Sequence, residues 1–255
     1  MNSKMEKPMK GVSHVKMFLL SGILSVFAAT NAQAIGIDSM LVYTDENGEG
    51  EFVVTNSEDY RQYINVAISE LTVEGGQIKK TSYNRENLSD WALEIHPSRT
   101  ILEPGFKKVF SLKYQPKNNE HRLDQDKVFQ VSFVPTPYFA EGEKEHAVKM
   151  AFGFAPLLIV PAKELKPLQY DLSYRGDKVK VVNKGNSFFT LYLDGCSKNT
   201  PIQARQQCSV SATVLAGREL DVTLPLEMQS KATLNAKMAS HGNKLKAETI
   251  LTKQS

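Results

Sequence analysis

RTILEPGFKKVFSLKY, residues 99–114, reads as two short extended segments about a turn. Glu103-Pro104-Gly105 is the turn signal, because proline presets its φ and glycine supplies a positive φ at no steric cost. Segments of the same kind repeat outward in both directions. IGIDSMLVYT, EFVVTN, RQYINVAIS and WALEIHPSRTI come before it, with DENGEG and EGGQ as further turns, and KVFQVSFVP comes after. With the stretch that begins at His146 this makes about seven strands. No long segment places apolar residues at helical spacing, so the pattern predicts an all-β antiparallel sandwich and not an α/β sheet.

Pro156, Pro161 and Pro167 punctuate APLLIVPAKELKP, and a second series of strands follows: LQYDLSY, KVKVVN, SFFTLYL, CSVSATVL, ELDVTLPL, KATLNAKM and LKAETILT. We place the boundary near residues 161–167, which predicts one domain over 35–162 and a second over 163–255. A connection with prolines and few glycines is stiff, so the two domains are expected to keep a fixed angle. Arg175-Gly176-Asp177 spells a cell-adhesion tripeptide, but Gly-Asp between two strands is a hairpin turn.

The first residues are set apart. Lys4, Lys7, Lys10 and Lys16 precede the apolar run MFLLSGILSVFAA, and Ala32-Gln33-Ala34 ends it as a small-residue cleavage site. Residues 1–34 are therefore expected to be a secretory signal peptide, cut after Ala34. The apolar run is about a dozen residues, short of the roughly 20 that span a bilayer. No later segment is long and apolar enough for stable membrane insertion. Of the 31 Lys and Arg, four lie in this leader, as does one of the 28 Asp and Glu, so the remainder has a formal charge of zero. Without a basic stripe interleaved with aromatics, nothing suggests nucleic acid as a partner.

Cys196 and Cys208 are expected to form a disulfide, since pairing is the default in an oxidising compartment. It would close a loop of about a dozen residues, worth about 3 kcal/mol in the chain-entropy description. A zinc site would need four close ligands, and His96, His121, His146 and His241 show no ligand-like spacing to each other or to the cysteines. No metal or cofactor is expected.

Enzymatic signatures are missing as well. G-x-S-x-G, H-E-x-x-H and a Gly-Lys phosphate loop do not occur, and the one S-x-x-K, Ser13 to Lys16, lies in the leader. Glu141, Glu143 and Glu145 belong to a polar stretch between strands.

HAVKMAFGFAPLLIVP, residues 146–161, poses the functional question. Val148, Met150, Phe152 and Phe154 alternate with Lys149, Ala151 and Gly153, and side chains of a strand face opposite ways with a period of two. The four bulky residues form one apolar row that must be buried, by this chain or by another.

RTILEPGFKKVFSLKY also carries a family resemblance. Leu102-Glu103-Pro104-Gly105, Lys107 or Lys108, Val109 and Leu112 stand in order with a signal peptide, a preceding Trp91-x-Leu93-x-Ile95-x-Pro97 strand, the KVFQVSFVP strand and an alternating strand ending in Pro161. In this the chain resembles the PapD-like periplasmic chaperones of chaperone/usher pilus assembly, over nearly all of the mature length. The second domain matches mainly by length and strand content. The resemblance implies two immunoglobulin-like β-sandwich domains set at an angle, with a fimbrial subunit bound along the first and an outer-membrane usher as the receiving partner. It implies that the row Val148, Met150, Phe152 and Phe154 is a donor strand that completes the subunit's unfinished sandwich, which is strand addition as a recognition mode.

Departures from the pattern matter too. PapD-type members grip the subunit's terminal carboxylate with an arginine in the first strand and a lysine in the donor strand. Here those places read Asp38-Ser39-Met40-Leu41 and Phe154-Ala155-Pro156, and the arginine before the strand-ending proline is Val160. That absence, with the cysteine pair, looks more like the alternate and archaic branches. Arg99, Lys107, Lys108, Lys113 and Lys149 are the candidate anchors, since a buried carboxylate needs charge-assisted partners. The competing expectation is a secreted two-domain immunoglobulin-like adhesin or carbohydrate-binding module, with recognition groups on its loops. A bare apolar strand is an aggregation hazard, so weak self-association of the free protein is also expected.

Overall fold

A computed structural model describes residues 35–116, 123–138 and 152–254. The first half contributes β1 (Ile35–Ile37), β2 (Leu41–Tyr43), β3 (Glu49–Asn56), β4 (Gln62–Glu74), β5 (Gln77–Ser82), β6 (Leu93–His96), β7 (Arg99–Leu102), β8 (Lys107–Tyr114), β9 (Lys127–Pro137) and β10 (Leu157–Val160). They form two sheets. One runs β1-β3-β8-β6; the other runs β2-β10-β9-β4-β5, with β7 also paired to β4.

Alternation dictates what lies between them. Phe52 and Val54 of β3, Phe110 and Leu112 of β8, and Phe129, Val131 and Phe133 of β9 recur every second residue and are all buried. Phe133 meets Phe110 and Phe52 edge to face, with ring centroids 4.9 and 5.7 Å apart. Each such side chain contributes about 1.5–3 kcal/mol by leaving water, and the aromatic pairing adds to that.

Two stretches that read as single strands are each split between the sheets. IGIDSMLVYT breaks at Asp38, whose carboxylate accepts the Val53 N–H at 2.9 Å while its own N–H donates to the Val53 carbonyl at 3.1 Å. Ser39 Oγ then accepts from the Leu41 N–H and donates to the Leu41 carbonyl. These local bonds turn the chain out of the β1 sheet and into the β2 sheet. WALEIHPSRTI breaks at Pro97-Ser98, so that β6 pairs with β8 and β7 with β4. Proline lacks the N–H that a continuous ladder would need.

The expected turn at Glu103-Pro104-Gly105 is present, with Gly105 at φ +76° and its N–H on the Asn56 carbonyl at 2.7 Å. Asn56 is wholly buried and satisfied: its amide donates to the carbonyls of Tyr60 and Leu102, both at 2.9 Å.

The second half contributes β11 (Tyr170–Arg175), β12 (Lys178–Asn183), β13 (Phe189–Asp194), β14 (Ser209–Val214), β15 (Glu219–Thr223), a single helical turn α1 (Leu226–Gln229), β16 (Thr233–Ala239) and β17 (Lys246–Gln254). The strands are ordered β14-β13-β16-β17-β11-β12-β15. Only Tyr174↔Lys253 and Arg175↔Gln254 join β11 to β17, in parallel, so the ladder folds over on itself there into a second sandwich. Phe189, Leu191 and Leu193, with Leu234, Ala236 and Met238 of the neighbouring β16, share its core with Val179 and Val181. Buried Tyr174 donates its hydroxyl to the carbonyls of Lys231 and Met228, at 2.9 and 3.1 Å. Arg175-Gly176-Asp177 opens the β11–β12 hairpin, with Gly176 at φ +56°. Cys196 and Cys208 are bonded, with Cα atoms 5.0 Å apart. Both halves are immunoglobulin-like β-sandwiches.

A third apolar cluster of Val128, Ile159, Phe188 and Leu215 joins the sandwiches. Around it the Asp126 carboxylate accepts from the Ala162 N–H, the Ser187 hydroxyl and the Phe188 N–H, at 2.8 to 2.9 Å. The Asn186 amide donates to the carbonyls of Asp124 and Glu164, both at 2.8 Å. Arg218 donates to the Gly76 carbonyl at 2.8 Å and to Gln77 Oε1 at 2.9 Å.

Candidate functional site

The strand ending in β10 is paired on both sides over its last residues and, among the described residues, on one side only just before them. Leu157–Val160 lies antiparallel to Lys127–Gln130 of β9 and parallel to β2. Upstream the β9 side continues. The Val131 N–H donates to the Pro156 carbonyl at 2.9 Å, and Phe133 and Phe154 exchange both of their backbone bonds, at 2.7 and 3.1 Å. On the other side the last bond runs from the Leu157 N–H to the Met40 carbonyl at 3.0 Å, because the first strand has turned away at Asp38.

The peptide groups of Gly153 and Ala155 point to that vacated side, since successive residues of a strand alternate. Among the described residues neither has a backbone partner, and both residues are exposed. This is an open sheet edge, able to accept one more strand.

Phe152 and Phe154 sit differently on it. Phe154 is half-buried and packs against the first sandwich's own core, whereas Phe152 is 64% exposed. Gly153 fits a close approach: a Cβ there would lie 2.7 Å from the Phe133 carbonyl oxygen. Val148 and Met150 lie outside the described residues.

The candidate anchors are dispersed. Arg99 is exposed on β7. Lys107 and Lys108 are exposed at the start of β8, and Lys113 near its end pairs with Glu49 at 2.8 Å. Lys108 shares the face of Phe110 and Leu112; Lys107 and Lys113 share the opposite one. Lys149 lies outside the described residues. Along the open edge itself, residues 35–44 and 152–160 contain no lysine or arginine.

One surface escaped the sequence reading. Tyr63, Ile101 and Val134 stand 38%, 48% and 49% exposed on the outward side of the β4 sheet. Tyr63 meets Tyr138 with ring centroids 5.6 Å apart, and the Arg61 guanidinium lies 5.1 Å over Tyr138 while bonding Glu103 at 2.7 Å. The Glu103 carboxylate holds Arg61 more firmly protonated than usual. The alternation of RQYINVAIS could have shown that Tyr63 faces away from Ile64, but not that strands from three places in the chain would align their apolar residues beside it. Next to Arg61, the wholly buried Gln62 has neither amide atom bonded among the described residues.

Residues 37–161, the half that holds this edge, match the family model for the CS5 fimbrial protein N-terminal domain. An Escherichia coli protein described as "Uncharacterized 25.9 kDa protein in CS5 3'region" is 25% identical over 177 residues, 68% of this chain and 75% of that protein. The class 5 fimbriae chaperone CfaA superposes with a TM-score of 0.52 at 15% identity, covering 87% of this chain and 99% of its own. The chain has the fold of PapD-like fimbrial chaperones. Members of that fold from two further systems match as closely. The Salmonella enterica SafA pilin–SafB chaperone complex contributes a chain with a TM-score of 0.56 at 12% identity, covering 88% of this chain and 98% of that one. The Acinetobacter baumannii CsuC–CsuE chaperone–tip adhesion subunit complex, from archaic chaperone-usher Csu pili, gives 0.55 at 11% identity, covering 87% and 100%.

Proposed function

We propose that this protein is a periplasmic, non-enzymatic chaperone that captures fimbrial subunits by lending them the strand through Val148, Met150 and Phe152, then passes them to an outer-membrane usher. The observation that carries this reading is the uncovered edge at Gly153–Ala155. A strand fixed to β9 on one side, with its next peptide groups unpaired on the other among the described residues and Phe152 exposed beside them, is a template suited to a partner strand. Backbone bonds would supply binding along the edge, and the alternate side chains would fill the partner's pockets.

Four such side chains, fully buried, would contribute about 6–12 kcal/mol gross. Phe154 already spends part of its surface on this chain's own core, so Val148, Met150 and Phe152 carry most of the row's contribution. Lys149, within the lent stretch, is the first candidate to meet a subunit carboxylate. Arg99, Lys107, Lys108 and Lys113 follow. The leader at residues 1–34, cut after Ala34, would deliver the chain to the periplasm. The outward face of Tyr63, Ile101 and Val134 is left free for a second partner while the edge is occupied; contiguous exposed apolar surface of this kind marks interaction sites.

The test is co-expression with a pilin-type subunit. A one-to-one complex should be recovered from the periplasm, and Phe152→Asp together with Met150→Asp should abolish it while leaving a folded chain. Recovery of the complex from the double variant would overturn the strand-lending reading. An adhesin or carbohydrate-binding module would instead bind glycan alone and ignore both substitutions.

A further inference from the structure

We propose that His241 is a proton-sensitive latch between the two sandwiches, closed when its imidazole is neutral and loosened when the ring takes up a proton. Its placement carries the proposal. The His241 ring, from the turn between β16 and β17, lies on the ring of Tyr43 at the end of β2, with centroids 3.6 Å apart and planes at 35°. Phe188, also from the second sandwich, stacks on Tyr43 at 5.4 Å and 24°. One tyrosine of the first sandwich is thus held by two rings of the second, beside the apolar cluster of Val128, Ile159 and Leu215.

The charged groups around the imidazole decide which form suits this place. Lys244, three residues on, repels a proton; Lys163 lines the same cleft from the connection, and Asp45 and Glu46 from the first sandwich. The Asp45 carboxylate is turned inward, accepting the N–H groups of Asn47 and Glu49. Asp126 attracts a proton, but its carboxylate already accepts three hydrogen bonds from Ala162, Ser187 and Phe188. Tyr43 itself stays neutral, because burial pushes its phenol upward. Burial first, then Lys244, pushes His241 below the usual histidine range, against the weaker pull of Asp126.

A lowered pKa means that the assembled contact favours the neutral ring. The latch is therefore at full strength above the ordinary histidine pKa of about 6.5, and it weakens as pH falls from there toward the lowered value. The apolar cluster and the Arg218 and Asn186 bonds carry no titrating histidine, so the sandwiches stay joined but hold each other less firmly.

The experiment compares the full mature chain with His241→Phe, which keeps a ring on Tyr43 and removes the proton site, and with His241→Gln as a second variant. Thermal midpoints and small-angle scattering are measured between about pH 7.5 and pH 5, where histidine titrates. The wild type should lose about 2 °C or more in midpoint relative to His241→Phe on acidification, and its radius of gyration should rise only in the wild type. Should His241→Phe fail to fold, His241→Gln replaces it in the same comparison. Ring-proton titration of His241 by NMR should give a midpoint below that of an exposed histidine. An identical pH response of wild type and variants, or an ordinary or raised His241 midpoint, would overturn the proposal.

Discussion

Phe133 and Phe154 exchange both of their backbone hydrogen bonds, at 2.7 and 3.1 Å, and among the described residues this pair is the furthest upstream at which the strand leading to β10 is bonded to β9. Downstream of it, Leu157–Val160 is paired into the first sandwich on both sides; just upstream, Phe152 stands exposed. Substitutions on the two sides of that point should therefore have different consequences.

Phe154→Ala removes part of the core packing and should cost about 1–3 kcal/mol of stability, less than a fully buried phenylalanine because the ring is half-exposed. Phe152→Ala, at a 64% exposed position, should leave urea unfolding within about 0.5 kcal/mol of the parent and lower subunit capture instead. Denaturation midpoints and pull-down yields, measured on both variants, separate the two effects.

Gly153→Ala places a methyl group 2.7 Å from the Phe133 carbonyl oxygen, closer than real side chains come. The strand must move off β9, at about 1–3 kcal/mol. Amide exchange at Phe154 and Phe133 should quicken selectively, while amides of the second sandwich keep their protection.

Replacing Cys196 and Cys208 together by serine opens a loop spanning 12 positions of sequence. The loss should be about 3 kcal/mol, read as a lower denaturation midpoint of the second sandwich with β-sheet circular dichroism retained at low denaturant. Subunit capture, which we assign to the first sandwich, should persist in this variant at low temperature.

Arg218→Ala removes the bonds to the Gly76 carbonyl and Gln77 but leaves the Glu219 N–H on that carbonyl at 2.9 Å. Because the oxygen keeps one donor, the cost should stay near 1–2 kcal/mol. Limited proteolysis should cut sooner in the connection at residues 161–167, with fragments matching the two sandwiches.

Strands and turns were largely legible in the sequence, because burial between two sheets imposes a period of two and because Pro-Gly, Asn-Gly and Gly-Gly leave few alternatives to a turn. The second series, from LQYDLSY to LKAETILT, maps onto β11 through β17. What a period of two cannot state is which sheet a strand joins. IGIDSMLVYT and WALEIHPSRTI kept their alternation across Asp38 and Pro97 and so read as single strands, although each changes sheets there. The short helical turns at Arg85–Asp90 and Ile202–Gln207 have no buried residues and left no apolar pattern to find. At the open edge, the row of bulky residues was visible, but its division between the own-core contact of Phe154 and the exposure of Phe152 depends on where β9 stops holding it. The surface of Tyr63, Ile101 and Val134 was invisible for a similar reason: its members come from β4, β7 and β9, and only the pairing register brings them together.

Two of the ties between the sandwiches, from Arg218 and Asn186, end on the main-chain oxygens of Gly76, Asp124 and Glu164. Any amino acid supplies such an oxygen. Asp124 and Glu164 can thus drift in sequence without withdrawing their acceptors, whereas Gly76, at φ +75° with a Cβ there only 2.8 Å from Glu219 Cβ, is held to glycine, and Gln77 takes part through its own side chain.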